Sequence, residues 1–341
     1  MSTFERKRII LIVVCVSTCL MSGSSLWAEG RQAETGLFEP FAIRNQAIPA
    51  LVFLPFEAAT ARTLPSGGFQ TRLDASYSSI FTEKRDTQGR VDFDLELFEG
   101  ALRLDYGITD RLQVGVQAPY RFYYGGFLDG FIKDFHDTFN LPDGGKDESE
   151  DDLCRLIWKY DDTVIANHIS AHQGVGDVSL FAKVAVLLED RWIPALSVLA
   201  HARIPTGNER KMLGAGEPAF GFGIAADKHF GNFFLNLNVF YFLLDEPDFF
   251  EDLEVNNVFA GSLMVGYQIT QNFAPMLQVN AATPLFDDTG IAALDRDLVQ
   301  LIVGFQYNFS AATRFQIGFA EDLVSSSSPD FTVYVALNQF F

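Results

Sequence analysis

LQVGVQAPYRFYY, residues 112–124, decides the fold. Leu112, Val114, Val116, Ala118, Tyr120, Phe122 and Tyr124 occupy alternate positions, and Gln113, Gly115, Gln117, Pro119, Arg121 and Tyr123 lie between them. A two-residue period belongs to a strand whose two faces meet different surroundings, because successive side chains point to opposite sides of a sheet. The same alternation recurs from Val178 to Leu188, with Asp177, Ser179 and Lys183 opposite the apolar row. It recurs again from Trp192 to Ile204, where His201 and Arg203 take the polar side, and near the end, where Phe331, Val333, Val335, Leu337 and Phe341 share one face.

Working outward from that stretch yields twelve strand segments, at approximately 69–81, 91–107, 111–124, 175–187, 192–205, 217–228, 232–243, 257–268, 272–282, 297–308, 313–322 and 330–341. Each can cross a bilayer at a tilt, which takes about 9–11 residues. Segment 91–107 changes phase between Leu97 and Phe98, which predicts a bulge or a strand projecting beyond the membrane. The links alternate in length: short at 108–110, 189–190, 229–231, 269–271 and 309–312, and longer and richer in Asp, Glu, Gly and Pro at 82–90, 125–174, 206–216, 244–256, 283–296 and 323–329. Tight turns at one end and long loops at the other mark an antiparallel, up-and-down transmembrane β-barrel of about twelve strands, an all-β fold.

Composition agrees. Hydrophobic residues make up 48% of the 341, and 34 are Phe, yet no segment after the leader has the length and apolarity of a spanning helix. The leader itself reads as a secretory signal: Arg6, Lys7 and Arg8, an apolar run from Ile9 to Met21, and small residues ending at Ala28, so residues 1–28 are expected to be cleaved. Cys154 would then be the one remaining cysteine, and no disulfide is expected. Losing three cations and one anion with the leader moves the net charge from −19 to −21, which argues against nucleic acid as a partner.

Two regions fall outside the barrel pattern. Residues 29–66, with Arg44-Asn45-Gln46 and the apolar stretch Ile48–Phe56, form an N-terminal segment that caps the periplasmic mouth, runs inside the lumen or adds a strand. The 125–174 loop opens with Phe127, Phe131, Phe135 and Phe139 at helical spacing, which predicts a helix over the barrel rim, ended by Pro142. The barrel proper spans 67–341.

FHDTFNLPDGG (135–145), GVGDVSLFAKVAVL (174–187), RNQAIPALVFLP (44–55) and DYGITDRLQVGVQAPYRF (105–122) together resemble the proteobacterial outer-membrane family known as domain of unknown function 3187. The resemblance implies an outer-membrane location and a barrel, and carries no activity or functional residues. The chain's end, Phe341 closing an alternating strand, resembles the terminal signature that barrel-assembly machinery reads, with Gln339 departing from its usual apolar choice.

With the apolar face turned to lipid, the lumen is lined by Arg72, Asp74, Glu99, Arg103, Arg121, Asp177, Lys183, His201, Arg203 and Arg314, together with amides such as Gln70, Gln113, Asn236, Asn238 and Gln316. Six of these cations form a basic stripe offset by Asp74, Glu99 and Asp177. That lining fits a hydrated constriction selecting a small solute, or an interior closed by ion pairs. The leading expectation is a passive pore or small-solute barrel among outer-membrane lipids and lipopolysaccharide; the alternative is a non-conducting structural or adhesive barrel. A lipid-processing enzyme is the weakest reading. His168 and Ser170 have the His-x-Ser spacing of the outer-membrane phospholipase, but Ala171-His172 stand where that family has Asn-Gly. His168 and His172 could share a metal on a helix, but the metalloprotease Glu is missing, and the acidic run Asp147–Asp152 lacks EF-hand spacing. No cofactor fingerprint occurs, so neither cofactor nor metal is expected.

Overall fold

The computed structural model describes residues 38–85, 89–126, 153–161, 163–248, 250, 253–291, 293–323, 329 and 331–341. Its strands are β1 Phe69–Arg85, β2 Gly89–Thr109, β3 Leu112–Tyr124, β4 Arg155–Tyr160, β5 Thr163–His168, β6 His172–Val175, β7 Val178–Leu187, β8 Ala195–Ile204, β9 Ala219–Phe230, β10 Phe233–Leu244, β11 Val258–Tyr267, β12 Phe273–Ala282, β13 Leu298–Asn308, β14 Thr313–Asp322 and β15 Phe331–Phe340. A short α-helix, α1, covers Ile48–Phe53.

Twelve strands, β1–β3 and β7–β15, close a barrel in which sequence neighbours pair antiparallel. β15 returns to β1 in unbroken register from Gln70↔Phe340 to Ser79↔Phe331. Phe341 completes that seam: its N–H donates to Phe69 O at 2.8 Å, and Phe69 N–H donates to Phe341 O at 3.2 Å. Closure leaves no unpaired edge within the barrel wall, which a bilayer demands of any sheet. Outside, Leu102, Val116, Leu180, Val198, Phe222, Leu237, Phe259, Leu263, Val303 and Phe319 are exposed as an apolar belt. Tyr106, Phe230, Phe233, Tyr267 and Phe309, also exposed, gather at the short-turn, periplasmic end where an aromatic girdle belongs.

The phase change in β2 has a simple cause. β2 runs straight through Leu97–Phe98, pairing residue by residue with β1 from Arg90↔Arg85 to Tyr106↔Phe69, so no bulge lies there. The faces stay put and their surroundings invert. Within the bilayer the inward face carries Glu99, Arg103 and Asp105 while Leu102 and Tyr106 face lipid; beyond it, Phe93, Leu95 and Leu97 pack inward on an apolar cluster while Asp92 and Asp94 lie on the opposite face, themselves buried, with Asp92 paired to Arg90 and Arg155. The inversion therefore marks the external membrane boundary.

Two expected loops contain strands among their described residues. Most of 82–90 is hairpin, because β1 and β2 extend past the barrel. Within 125–174, Arg155–Tyr160 and Thr163–His168 are β4 and β5, added onto the β2 extension, and β6 pairs with β3 from Val175↔Tyr120 to His172↔Tyr123. Unpaired backbone on the projecting strands recruits these additions. The helix expected at Phe127–Phe139, the acidic run Asp147–Asp152 and the leader lie outside the described residues.

Glycines on β9 and β11 serve close packing. A side chain at Gly221 would collide with the Phe242 ring, and one at Gly266 with the Phe234 ring. The small inward positions of β9 thus leave room for the large rings of β10.

Candidate functional site

The lumen is occupied by the chain's own N-terminal segment. Residues 38–46 rise from the periplasmic end, α1 lies near the external end, and residues 54–66 descend along another part of the wall to join β1 at the periplasmic rim. Gly67 N–H donates there to Gly107 O at 2.8 Å.

The ascending limb, 38–46, is extended and has no strand beside it, so its peptide groups need other partners. Carboxamides supply them, since each carries a donor and an acceptor as a peptide does. Gln278 accepts from Phe41 N–H and donates to Phe41 O, both at 2.9 Å. Gln306 accepts from Glu39 N–H at 3.1 Å while Gln316 donates to Glu39 O at 2.9 Å. Asn280 reaches Ile43 O at 3.4 Å. Arg314 adds a charged contact from the wall, 2.7 Å from the Glu39 carboxylate. Phe41 also stands edge-on to Tyr334 at 6.2 Å, in an apolar cluster with Ile43, Met264, Met276 and Ile302.

Helix α1 is held differently. A six-residue helix leaves carbonyls unpaired at its end. Three guanidinium groups take them. Arg121 donates to Leu51 O at 3.1 Å, Arg203 to Val52 O at 2.8 Å and Phe53 O at 2.7 Å, and Arg44 to Leu51 O at 2.6 Å. Arg121 is 2.7 Å from Glu99, and Arg203 lies 3.6 Å from Asp177. Asp177 in turn accepts from Gly207 N–H and Ala215 N–H. The helix's other face packs with Phe93, Trp158, Phe250 and Phe286 in the external apolar cluster.

On the descending limb, 54–66, Glu57 is the pivot. Its carboxylate meets Arg72 at 3.0 Å, Arg103 at 3.6 Å and the Gln117 amide at 2.6 Å. Arg72 also pairs with Asp74, Arg103 with Asp105, and Asp74 accepts from Tyr334 Oη at 2.6 Å. Below it, Asp227 accepts from Thr60 Oγ1 and Ala61 N–H, Lys183 donates to Thr60 O at 3.1 Å, and Asn238 and Asn236 clasp the Ala59 peptide. At the rim Arg62 and Lys228 meet Glu189 at 2.9 and 3.4 Å, and His229 Nδ1 lies 2.9 Å from the same carboxylate. Burial opposes ionisation of Glu189, but the His229 N–H and imidazole outweigh it and hold the carboxyl below its ordinary range.

All ten lumen candidates thus face the interior. The cations do not form a free stripe: Arg72, Arg103, Arg121 and Arg203 are turned onto carboxylates and plug carbonyls, Lys183 onto Thr60, and Arg314 stands apart on β14. His201 differs from the others. Its ring is stacked on Phe181 at 4.6 Å, and neither nitrogen has a hydrogen-bond partner among the described residues. Beside it a cavity of about 20 Å³ remains, lined by Glu57, Arg103, Phe181, Lys183 and Phe242. The sequence reading did not pick out Glu57, Asp227, Gln278, Asn280 and Gln306. For the last four the alternation of β9, β12 and β13 was the available signal; for Glu57 it was a lone carboxylate after an apolar run.

The His168–Ser170 and His168–His172 readings are corrected by geometry. His168 is on β5 and His172 on β6, not on one helix. His168 Nε2 contacts Arg210 O at 2.6 Å, and His172 contacts Ser170 O and Lys211 O, each at 3.1 Å. The imidazoles are engaged with backbone carbonyls, not poised on the Ser170 hydroxyl.

The family model described as a protein of unknown function (DUF3187) matches residues 11–341. In structure the chain is similar to the COG4313 outer membrane channel from Pseudomonas putida F1, with a TM-score of 0.57 and 19% identity over 82% of this chain and 98% of that one. It also aligns with the NanC porin at a TM-score of 0.45 and 10% identity, over 80% of this chain and 98% of the porin. No curated protein matches it in sequence. Closed twelve-stranded wall, lipid-facing belt and family match agree: the chain belongs to the DUF3187 family and is an outer-membrane β-barrel.

Proposed function

We propose that the protein is a small-solute channel of the outer membrane, held closed in this conformation by residues 38–66. The observation that carries the reading is how that segment is held inside the lumen. Along both limbs the contacts are mostly amide-to-peptide hydrogen bonds and ion pairs, which water can replace at modest cost. Apolar packing is concentrated at α1, with Leu54 and Phe56 just beyond it, and around Phe41. Displacing the limbs would expose a lumen lined by Arg72, Asp74, Glu99, Arg103, Asp177 and Lys183, a surface suited to a hydrophilic solute. In this reading lipopolysaccharide surrounds the external rim, and assembly machinery reads β15 with Phe341.

Purified full-length protein in planar bilayers tests it. The wild type should conduct rarely and in brief openings. Glu57→Ala, which releases Arg72 and Arg103 from the plug, should raise the open fraction about tenfold. If neither protein conducts while both show the heat-modifiable migration of a folded barrel, the structural-shell alternative replaces the channel.

A further inference from the structure

The connection between β8 and β9 folds into the external mouth, burying Met212, Leu213 and Ala215. Two barrel side chains hold its inner edge: Tyr123 Oη donates to Met212 O at 2.7 Å, and Arg121 Nη1 to Leu213 O at 2.8 Å. The same guanidinium holds Leu51 O, so this connection and the plug helix share one anchor. The outer edge is a single turn of 3-10 helix, Glu209–Lys211, followed by Met212 in the left-handed region at φ 53°. A one-turn helix cannot satisfy its own final carbonyls. Those of Arg210 and Lys211 face the two histidines.

His172 is bracketed by two carbonyls, Lys211 O at Nε2 and Ser170 O at Nδ1. A carbonyl only accepts, so both contacts are hydrogen bonds only when both ring nitrogens carry protons, as in the imidazolium. His168 needs one proton, on Nε2, and its neutral tautomer provides it. The rings are 4.6 Å apart, which disfavours two adjacent cations, and it is His172, with two carbonyls to satisfy, that gains a hydrogen bond from a second ring proton. Among the described residues, the other titratable groups acting on His172 are Tyr123 of β3, whose ring centroid is 4.9 Å away, and Lys211 of the turn. Glu209 lies 3.8 Å from Arg210.

We propose that His172, seated beside His168, is a proton-operated latch that fastens the β8–β9 connection over the external mouth of the barrel. Protonation completes both hydrogen bonds; loss of the proton forces His172 to give one up. Burial places the His172 pKa below the ordinary histidine value, with His168 and Lys211 acting in the same direction and the two carbonyls against it. The latch is therefore tight in acid and slackens as pH rises through that value.

Amide hydrogen exchange of the full chain in detergent micelles reads the connection directly, without reference to conduction. After correction for intrinsic exchange, the amides of residues 211–215 should be about tenfold more protected at pH 5 than at pH 8, the scale of one charge-assisted hydrogen bond. β10 and β11 should show no such change. His172→Gln should abolish the difference, while His168→Gln should shift its midpoint upward by removing a neighbouring partial charge. Equal protection of the wild type at the two pH values, or the same pH response in His172→Gln, overturns the proposal.

Discussion

The two sides of the lumen hold the same N-terminal segment by different chemistry. The inward positions of β10–β13 carry no charged residue, and there Gln278, Asn280 and Gln306 treat the ascending limb as a missing strand, bonding its peptides. β1–β3, β7 and β8 carry nearly all the charge, and they grip the helix carbonyls and Glu57 through guanidinium groups. Amides are neutral, so losing one leaves an unmet hydrogen bond. Removing one member of a buried ion pair leaves a charge in a poor solvent, which costs several times more. The charged side should therefore dominate the stability of the closed form, and the amide side its register.

Glu57→Lys should break the contrast hardest. It removes the shared anion and sets a third cation beside Arg72 and Arg103, so docking of the descending limb should weaken by more than about 4 kcal/mol. The readout is protease cleavage between residues 56 and 66 with the barrel still folded. Arg121→Met comes next. It removes the ion-pair partner of Glu99 and the donor to Leu213 O, and leaves Leu51 O to Arg44 alone, for a loss of about 3 kcal/mol in urea unfolding.

Gln278→Leu, on the amide side, should cost about 1–2 kcal/mol and loosen residues 39–43 in hydrogen exchange while leaving residues 56–62 protected. A loss as large as that of Arg121→Met would erase the distinction between the sides. The smallest effect is at the rim. The Glu189 carboxyl has a folded pKa below its unfolded one, so its contribution is complete above the unfolded value and disappears as pH falls through the folded one. Acidification below about pH 4 should free residues 62–66 for cleavage. Glu189→Gln should show that susceptibility at pH 7, and an unchanged acid response in this variant would remove the carboxylate from the account.

How much of this was legible in advance follows from the range of each interaction. Val114, Val116 and Leu180 announced a lipid face because the two-residue period is local and each strand reports its own sides. Arg121 and Arg203 were recognisable as inward-facing for the same reason, but not as caps on α1. Their partners Leu51, Val52 and Phe53 are 70 to 151 residues away in sequence. The phase change at Leu97–Phe98 signalled a boundary whose meaning depended on what lay inside: beyond the bilayer, Phe93 and Leu95 meet an apolar plug instead of water.

The amino-acid sequence by itself determined the strands, their two faces, the alternation of turns and loops and the terminal Phe341, since all of these are set by neighbours along the chain and by the contrast between lipid and lumen. Only the tertiary structure decided that the lumen is filled. Residues 38–66 have no strand partner and hence no period to read, because the groups that satisfy their backbone are side chains on the barrel strands, brought to the same height by the register of the closed sheet.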